Sequence, residues 1–232
     1  MTPSLVAAGA TTTDRAVEAP LAIRRDSVAR RIVDIVIAGT ARVVVAPVMA
    51  VIALLVRRGS PGPAVFRQVR VGVGERPFTL LKFRSMRADG GAGASQVSGR
   101  QDPRITRVGA VLRATKLDEL PQLVNVLRGD MTVIGPRAEV ERYVAHYTDE
   151  ERLLLTVRPG LTCPGQLHFT EHQADELDDE TDPETFYVEQ QLHPKLALDL
   201  DYLRRRSLPT DLGVLWWTVV ILLRALRPTR RP

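Results

Sequence analysis

The segment Thr115-Lys116-Leu117-Asp118-Glu119-Leu120-Pro121 sets two carboxylates side by side in a chain that is otherwise basic. Adjacent acids ahead of an apolar run have two chemical uses. An ionised carboxylate can attack phosphorus, and its neighbour can help to hold a divalent cation. Mg²⁺ in particular is usually bound through one or two carboxylates together with the phosphates of a substrate. Helix capping accounts for Asp118 alone. It does not account for Arg104, Arg107, Arg113, Lys116, Arg128 and Arg137, which crowd the same stretch. Such a surplus suits phosphate recognition, because a guanidinium offers a bidentate fork.

These acids need an element to hold them. Leu120, Leu123, Val124 and Leu127 recur at helical spacing, and Gly129 is a natural stop. Two starts remain open. With Asp118 as the N-cap, Pro121 falls at the third helical position, where no amide bond is lost. With Thr115 as the N-cap, the acid three residues later completes a capping box, and Pro121 sits deeper and kinks the helix. Either start places both acids at the positive end of the helix, which favours the ionised form.

Composition bounds the rest. The chain has 232 residues, 44% of them hydrophobic and 25% charged, enough for one sizeable domain with appendages. A net charge of +5 suits an anionic partner. The single cysteine, Cys163, excludes an internal disulfide and a cysteine-built zinc site. His146, His168, His172 and His193 have no ligand spacing. No basic helix with aromatic platforms is evident, so nucleic acid is not expected as a partner. Residues 1–22 lack the basic and apolar regions of a secretion signal and read as a disordered tail.

Residues 23–58 read as a membrane segment that does not cross. The uncharged run from Val43 to Val56 falls short of the roughly 20 residues that a spanning helix needs. Arg24, Arg25, Arg30 and Arg31 precede it, and Arg57 and Arg58 follow it. Positive flanks prefer one side of the membrane, and here both ends carry them. Pro47 supplies a bend, so a helix–break–helix hairpin that enters and returns meets these demands together. At 208–232, Leu212, Leu215, Trp216, Val219 and Leu223 form an apolar face, surrounded by arginines. That is the make-up of a helix lying on an anionic lipid surface. Between these lies a polar unit, 59–207, in which "AVFRQVRVG" and "RPFTLLKF" predict a β-hairpin. The Gly/Ser-rich stretch at 88–101 and the acidic run at 175–184 read as loops.

"PRITRVGAVLRATKLDELPQLVNVLRGDMTVIGPR" resembles the signature block of the bacterial sugar transferases, the monotopic polyprenyl-phosphate phosphoglycosyl transferases. "GPAVFRQVRVGVGERPFTLLKFRSMRAD" and "VRPGLT" are similar to the blocks on either side of it. The resemblance implies transfer of a sugar-1-phosphate from a UDP-sugar to a polyprenyl phosphate, with release of UMP, as the first step of glycan or exopolysaccharide assembly. It implies Asp118 as a nucleophile forming a covalent phosphosugar intermediate, and Glu119 as its partner, the two being associated with Mg²⁺. Arg113, Arg137, Lys82 and Arg84 match residues placed near the phosphates and nucleotide. The implied location is the cytoplasmic face of the bacterial inner membrane, with anionic lipid around the protein. A homodimer is compatible with this.

Several positions depart from the family pattern in ways that touch the hairpin or the substrate, among them Lys116 after Thr115, where serine is usual, and Pro164 after Cys163. Ala46 stands where a serine precedes Pro47, and Arg42 lies inside the apolar segment. Ala138 replaces the proline after "GPR", and Cys163 follows "GLT" where glycine is expected. The fold class expected is α+β: a re-entrant helical hairpin, a mostly helical catalytic unit with one short β-hairpin, and an interfacial C-terminal helix. The rival of a different class is a non-catalytic basic scaffold that holds anionic lipid, for which Asp118 would be dispensable.

Overall fold

The computed structural model of the chain describes residues 23, 26–87, 97–99, 101–169, 176–177 and 182–225. The expected N-terminal tail, most of the 88–101 stretch, most of the acidic run and the last basic residues lie outside these. Helix α1, Val28–Gly59, opens the described fold. Ser27 caps it, its Oγ accepting the Arg30 N–H at 3.3 Å. Arg57 and Arg58 sit in its last turn, where the dipole favours cations. The break expected at Pro47 is instead a proline inside one continuous helix of 32 residues. A proline removes a single donor, and the turns on either side retain theirs.

One narrow stripe of α1 faces the protein, with Asp34, Ala38, Ile52 and Val56 buried. The other faces expose Ile32, Val33, Val36, Val44, Val48 and Val51 among others. Both ends are nevertheless tied to the same folded unit. Near the start, Arg31 donates to the carbonyls of Val126 at 2.6 Å and Leu127 at 2.9 Å. Asp34 accepts the Thr132 hydroxyl at 2.8 Å and the Val133 N–H at 2.9 Å. At the far end Arg84 donates to Ser60 O at 2.6 Å and Val56 O at 3.5 Å.

The expected hairpin is present. Strands β1, Val65–Val71, and β2, Pro77–Phe83, pair antiparallel from Val65 opposite Phe83 to Val71 opposite Pro77. Gly74 and Glu75, both at positive φ, turn the chain between them. Helix α2, Arg107–Ala114, then leads into a 3₁₀ turn, Leu117–Gln122, and helix α3, Leu123–Arg128. Gly129, at φ 95°, ends α3 as the sequence indicated. Strand β3, Thr132–Ile134, runs parallel to β4, Gly160–Thr162, a pairing with no short-range signal. Helices α4 (Glu141–Val144), α5 (Pro164–Phe169), α6 (Pro183–Phe186) and α7 (His193–Arg205) complete the unit. Helix α8, Leu208–Ala225, is the last.

Val126 and Leu203, each fully buried, lie in the main core, which joins α3, β3, β4 and α7. A smaller cluster of Ile52, Val56, Phe83 and Leu112 packs the end of α1 on the hairpin and α2. Buried apolar area at about 25 cal/mol/Å² is what holds these layers together. On α8 only Val214 and Ile221 are buried, while Leu212, Trp216, Val219 and Leu223 face outward. Helices α1 and α8 are both long and apolar enough to cross a membrane by length and composition. A salt bridge from Arg30 to Asp211 ties the start of α1 to α8.

Candidate active site

Asp118 and Glu119 lie in the 3₁₀ turn between α2 and α3, and neither expected cap is made. Lys116, left-handed at φ 57°, precedes the turn with no side-chain cap. The Thr115 hydroxyl points backward, donating to Val111 O at 2.8 Å and so closing α2. Asp118 therefore sits inside a tight turn rather than at the tip of an α-helix. Packing of the turn against β2 brings in Lys82, whose Nζ donates to Glu119 Oε1 at 3.1 Å. Asn125, with no exposed surface, holds this arrangement: its side chain accepts the Leu81 N–H at 3.1 Å and donates to Thr79 O at 2.7 Å.

The two acids have opposite electrostatics. Burial, and then the neighbouring Glu119 charge, push the Asp118 carboxyl up, against the pull of Lys82, Lys116 and Arg113. The dipole argument anticipated the reverse, and burial overrides it because no α-helix begins at this residue. Burial also pushes Glu119 up, but Lys82, Lys116 and Arg137 outweigh it and bring its carboxyl down to about 2. Burial depresses the Lys116 ammonium, which Glu119 in part restores. An acid pair whose environments drive the two groups apart is the pattern found where such groups have different tasks.

Asp118 is 7% exposed, and its Oδ1 is buried with no hydrogen-bond partner among the described residues. An orphaned buried carboxylate oxygen beside a second carboxylate fits a divalent cation. Among the described residues no three His, Cys, Asp or Glu side chains converge on one point. Asp118 and Glu119 would hold Mg²⁺, with substrate phosphates and water supplying the rest, as that ion prefers.

A narrow, shallow cleft opens beside Glu119, walled by Lys82, Gln122, Arg70, Arg137 and Gln166 among others. Asp118 is not on its wall. Arg137 donates through Nη1 to Gln166 Oε1 at 2.7 Å and pairs through Nε with Glu139 Oε1 at 3.2 Å. Glu139 is also held by Arg70 at 3.2 Å and by the Tyr187 hydroxyl at 3.0 Å. Arg113 acts on Asp118 by its charge while donating to Ser98 Oγ at 2.7 Å.

The structure thus gathers Asp118, Glu119, Lys82, Arg113 and Arg137, and it leaves out Arg84. That guanidinium is 6% exposed and clamps the carbonyls at the end of α1. Lys82 and Arg84 are two apart, yet Arg84 lies beyond the end of β2 and turns to the α1 carbonyls. Nη2 makes both bonds, and Nε and Nη1 are buried without a partner among the described residues, so the expected phosphate contact of Arg84 stays an expectation. Arg70, Gln166 and Glu139 were missed. Only the position of Glu139 two residues after Arg137 hinted at it.

The model of the bacterial sugar transferase family matches residues 25–225. The chain belongs to the bacterial sugar transferase family, a family of phosphoglycosyl transferases. It is 37% identical over 198 residues to a UDP-glucose:undecaprenyl-phosphate glucose-1-phosphate transferase of Caulobacter vibrioides, covering 84% of this chain and 69% of that one. An Escherichia coli protein of the same name is 35% identical over 82% of this chain. The exopolysaccharide production protein PSS of Rhizobium leguminosarum is 35% identical over 84% of this chain and 95% of its own length. The matched region spans only 39% of the E. coli relative.

Proposed function

We propose that this transferase moves a sugar-1-phosphate from a UDP-sugar to a polyprenyl phosphate and releases UMP. The observation that carries the reading is the acid pair packed among Lys82, Lys116, Arg113 and Arg137, with one Asp118 oxygen left unpaired. In the first step an Asp118 oxygen attacks the sugar-bearing phosphorus, and the bond to the bridging oxygen breaks. UMP leaves with that electron pair. In the second step a phosphate oxygen of the lipid attacks the same phosphorus and the Asp118 carboxylate is released. Splitting one displacement in two is the function of a covalent nucleophile, and it gives ping-pong kinetics.

Catalysis here rests on positioning and charge neutralisation. Lys82 and Arg137 receive the diphosphate in the cleft, and Arg113 offsets charge on the Asp118 side. Bound Mg²⁺, held by Asp118 and Glu119, supplies further neutralisation of the diphosphate. Glu119, ionised well below neutrality, keeps the local field suited to a cation. Because Asp118 is pushed upward, its charged, attacking form depends on these cations.

The lipid substrate requires a membrane. Both ends of α1 are tied to one folded unit and its remaining faces are apolar and exposed, which supports a helix that meets the bilayer on the unit's own side. Helix α8, with Trp216 71% exposed, lies along the same boundary. The arginine-rich flanks assign this face to the cytoplasmic side of the inner membrane. The test is UMP release by purified protein from a panel of UDP-sugars with polyprenyl phosphate and Mg²⁺. Asp118→Asn should abolish it with membrane association intact. Unchanged turnover in that variant would remove Asp118 as the nucleophile, and no UMP from any UDP-sugar would favour the non-catalytic scaffold.

A further inference from the structure

A loop and the first turn of α5, both outside the acid-bearing turn, build one wall of the cleft. The loop after β3 supplies Arg137 and Ala138, and the segment after β4 supplies Gln166. A single side chain fastens both. Asp199 of α7 is 2% exposed; its Oδ1 accepts the Gly165 N–H at 2.9 Å and its Oδ2 accepts the Arg137 N–H at 3.3 Å. The buried Cys163 thiol acts on the same carboxylate and favours its ionised form. Gly165 fits here because it lacks a side chain: a Cβ would stand 2.5 Å from Lys195 O and 3.1 Å from Asp199 Oδ1. Arg137 also donates through Nη1 to Oε1 of Gln166, the neighbour of Gly165, at 2.7 Å.

We infer that Asp199 is a positioning residue for the sugar-nucleotide donor: its carboxylate fixes the two segments so that Arg137 and Gln166 meet the diphosphate together. This rests on the reading of Arg137 as a donor contact. A residue that only filled the core would be better apolar, since burying a carboxylate is costly. Here burial raises the Asp199 carboxyl to about 6, against the two N–H donors, the thiol and the Arg137 charge that favour its ionised form. Tyr147, from the segment after α4, also faces it, and Lys195 lies one turn earlier on α7.

Protonation below about pH 6 occupies an oxygen lone pair and releases one segment. The linkage to folding has the opposite sign. The folded pKa lies above the ordinary 3.8, so taking up a proton favours the folded chain as pH falls through that window. Donor affinity is therefore expected to fall between pH 7 and 5 while thermal stability holds or rises. A carboxylate with a purely structural role would leave donor affinity flat.

The experiment uses the full chain carrying Asp118→Asn, so that no turnover occurs. UDP-glucose and UDP-N-acetylgalactosamine, whose diphosphates do not titrate in this range, are the probes for calorimetry with Mg²⁺ from pH 5 to 8. Affinity should weaken about tenfold towards pH 5, the scale of one charge-assisted hydrogen bond. Adding Asp199→Asn should weaken it about tenfold at pH 8 and flatten the profile. Should that double variant fail to fold, the pH profile is read in the Asp118→Asn chain carrying Lys195→Met as well, because the Lys195 ammonium, lowered to about 7 by burial, otherwise changes charge in the same range. A flat profile there, or unaltered affinity on adding Asp199→Asn, overturns the role of Asp199 and leaves the donor reading standing. No binding of either probe at any pH removes the donor reading, and this inference with it.

Discussion

Replacing Lys82 with methionine keeps the apolar stem and removes the one ammonium bonded to Glu119. The two charged atoms are 3.1 Å apart, with side chains 19% and 14% exposed. At an effective dielectric of about 20 their gross attraction is about 5 kcal/mol. Removing one partner of a fully buried pair costs about 3–5 kcal/mol, and the residual exposure here brings that to about 2–3 kcal/mol. For a chain of this size the melting temperature should fall by about 4–12 °C. Lys116 and Arg137 remain, so Glu119 stays ionised at neutral pH. Asp118 is more sensitive. Lys82 is the largest charge opposing its upward shift, so its loss extends the protonated form to higher pH. The acid limb of the pH–rate profile for UMP release should move to higher pH. An acid limb that stays in place, with an unchanged melting temperature, would refute the assigned electrostatics.

Three further outcomes follow from the same geometry. Arg84→Ala takes the donor from the Ser60 carbonyl, while Val56 O keeps the Ser60 N–H, and should lower stability by about 1–3 kcal/mol with the KM for the UDP-sugar unchanged. A rise in that KM would return Arg84 to the substrate. Asp34→Ala removes the Thr132 and Val133 bonds that fasten α1 to β3, at about 2–4 kcal/mol by thermal unfolding, with the protein still pelleting with membranes. The depressed Glu119 pKa contributes stability that is present above its ordinary value of 4.5 and lost as pH falls towards about 2. Unfolding monitored from pH 5 to 2 should show that loss in the wild type and a smaller one in Glu119→Gln.

Local signals served well where the chain is locally determined. The alternation in β1 and β2 predicted their hairpin, and Gly129 marked the end of α3, because turn chemistry and strand period act over a few residues. The apolar content of α1 and α8 was equally plain. The cap at Asp118 was misread because Thr115 spends its hydroxyl on α2 and Lys116 turns left-handed, a choice that depends on how the turn packs against β2. The shift on Asp118 was misjudged for the same reason: burial is a tertiary property. Arg84 matched a motif for phosphate contact, yet the end of α1, many residues away in the chain, claims its guanidinium. Arg70, Glu139, Gln166 and Asp199 come from four segments that are brought together by β1 against Glu139, by the β3–β4 pairing and by α7, and no spacing in the sequence links them.

The central claim is a covalent bond between Asp118 and the donor's sugar phosphate. Protein incubated with a UDP-sugar and Mg²⁺, without lipid acceptor, can be quenched in acid, digested and analysed by mass spectrometry. The account predicts a sugar-phosphate adduct on the peptide containing Asp118, fragmenting at that residue, absent in Asp118→Asn and discharged when polyprenyl phosphate is added. An adduct on Glu119, or UMP release that begins only when the lipid is present and leaves no adduct, would contradict it.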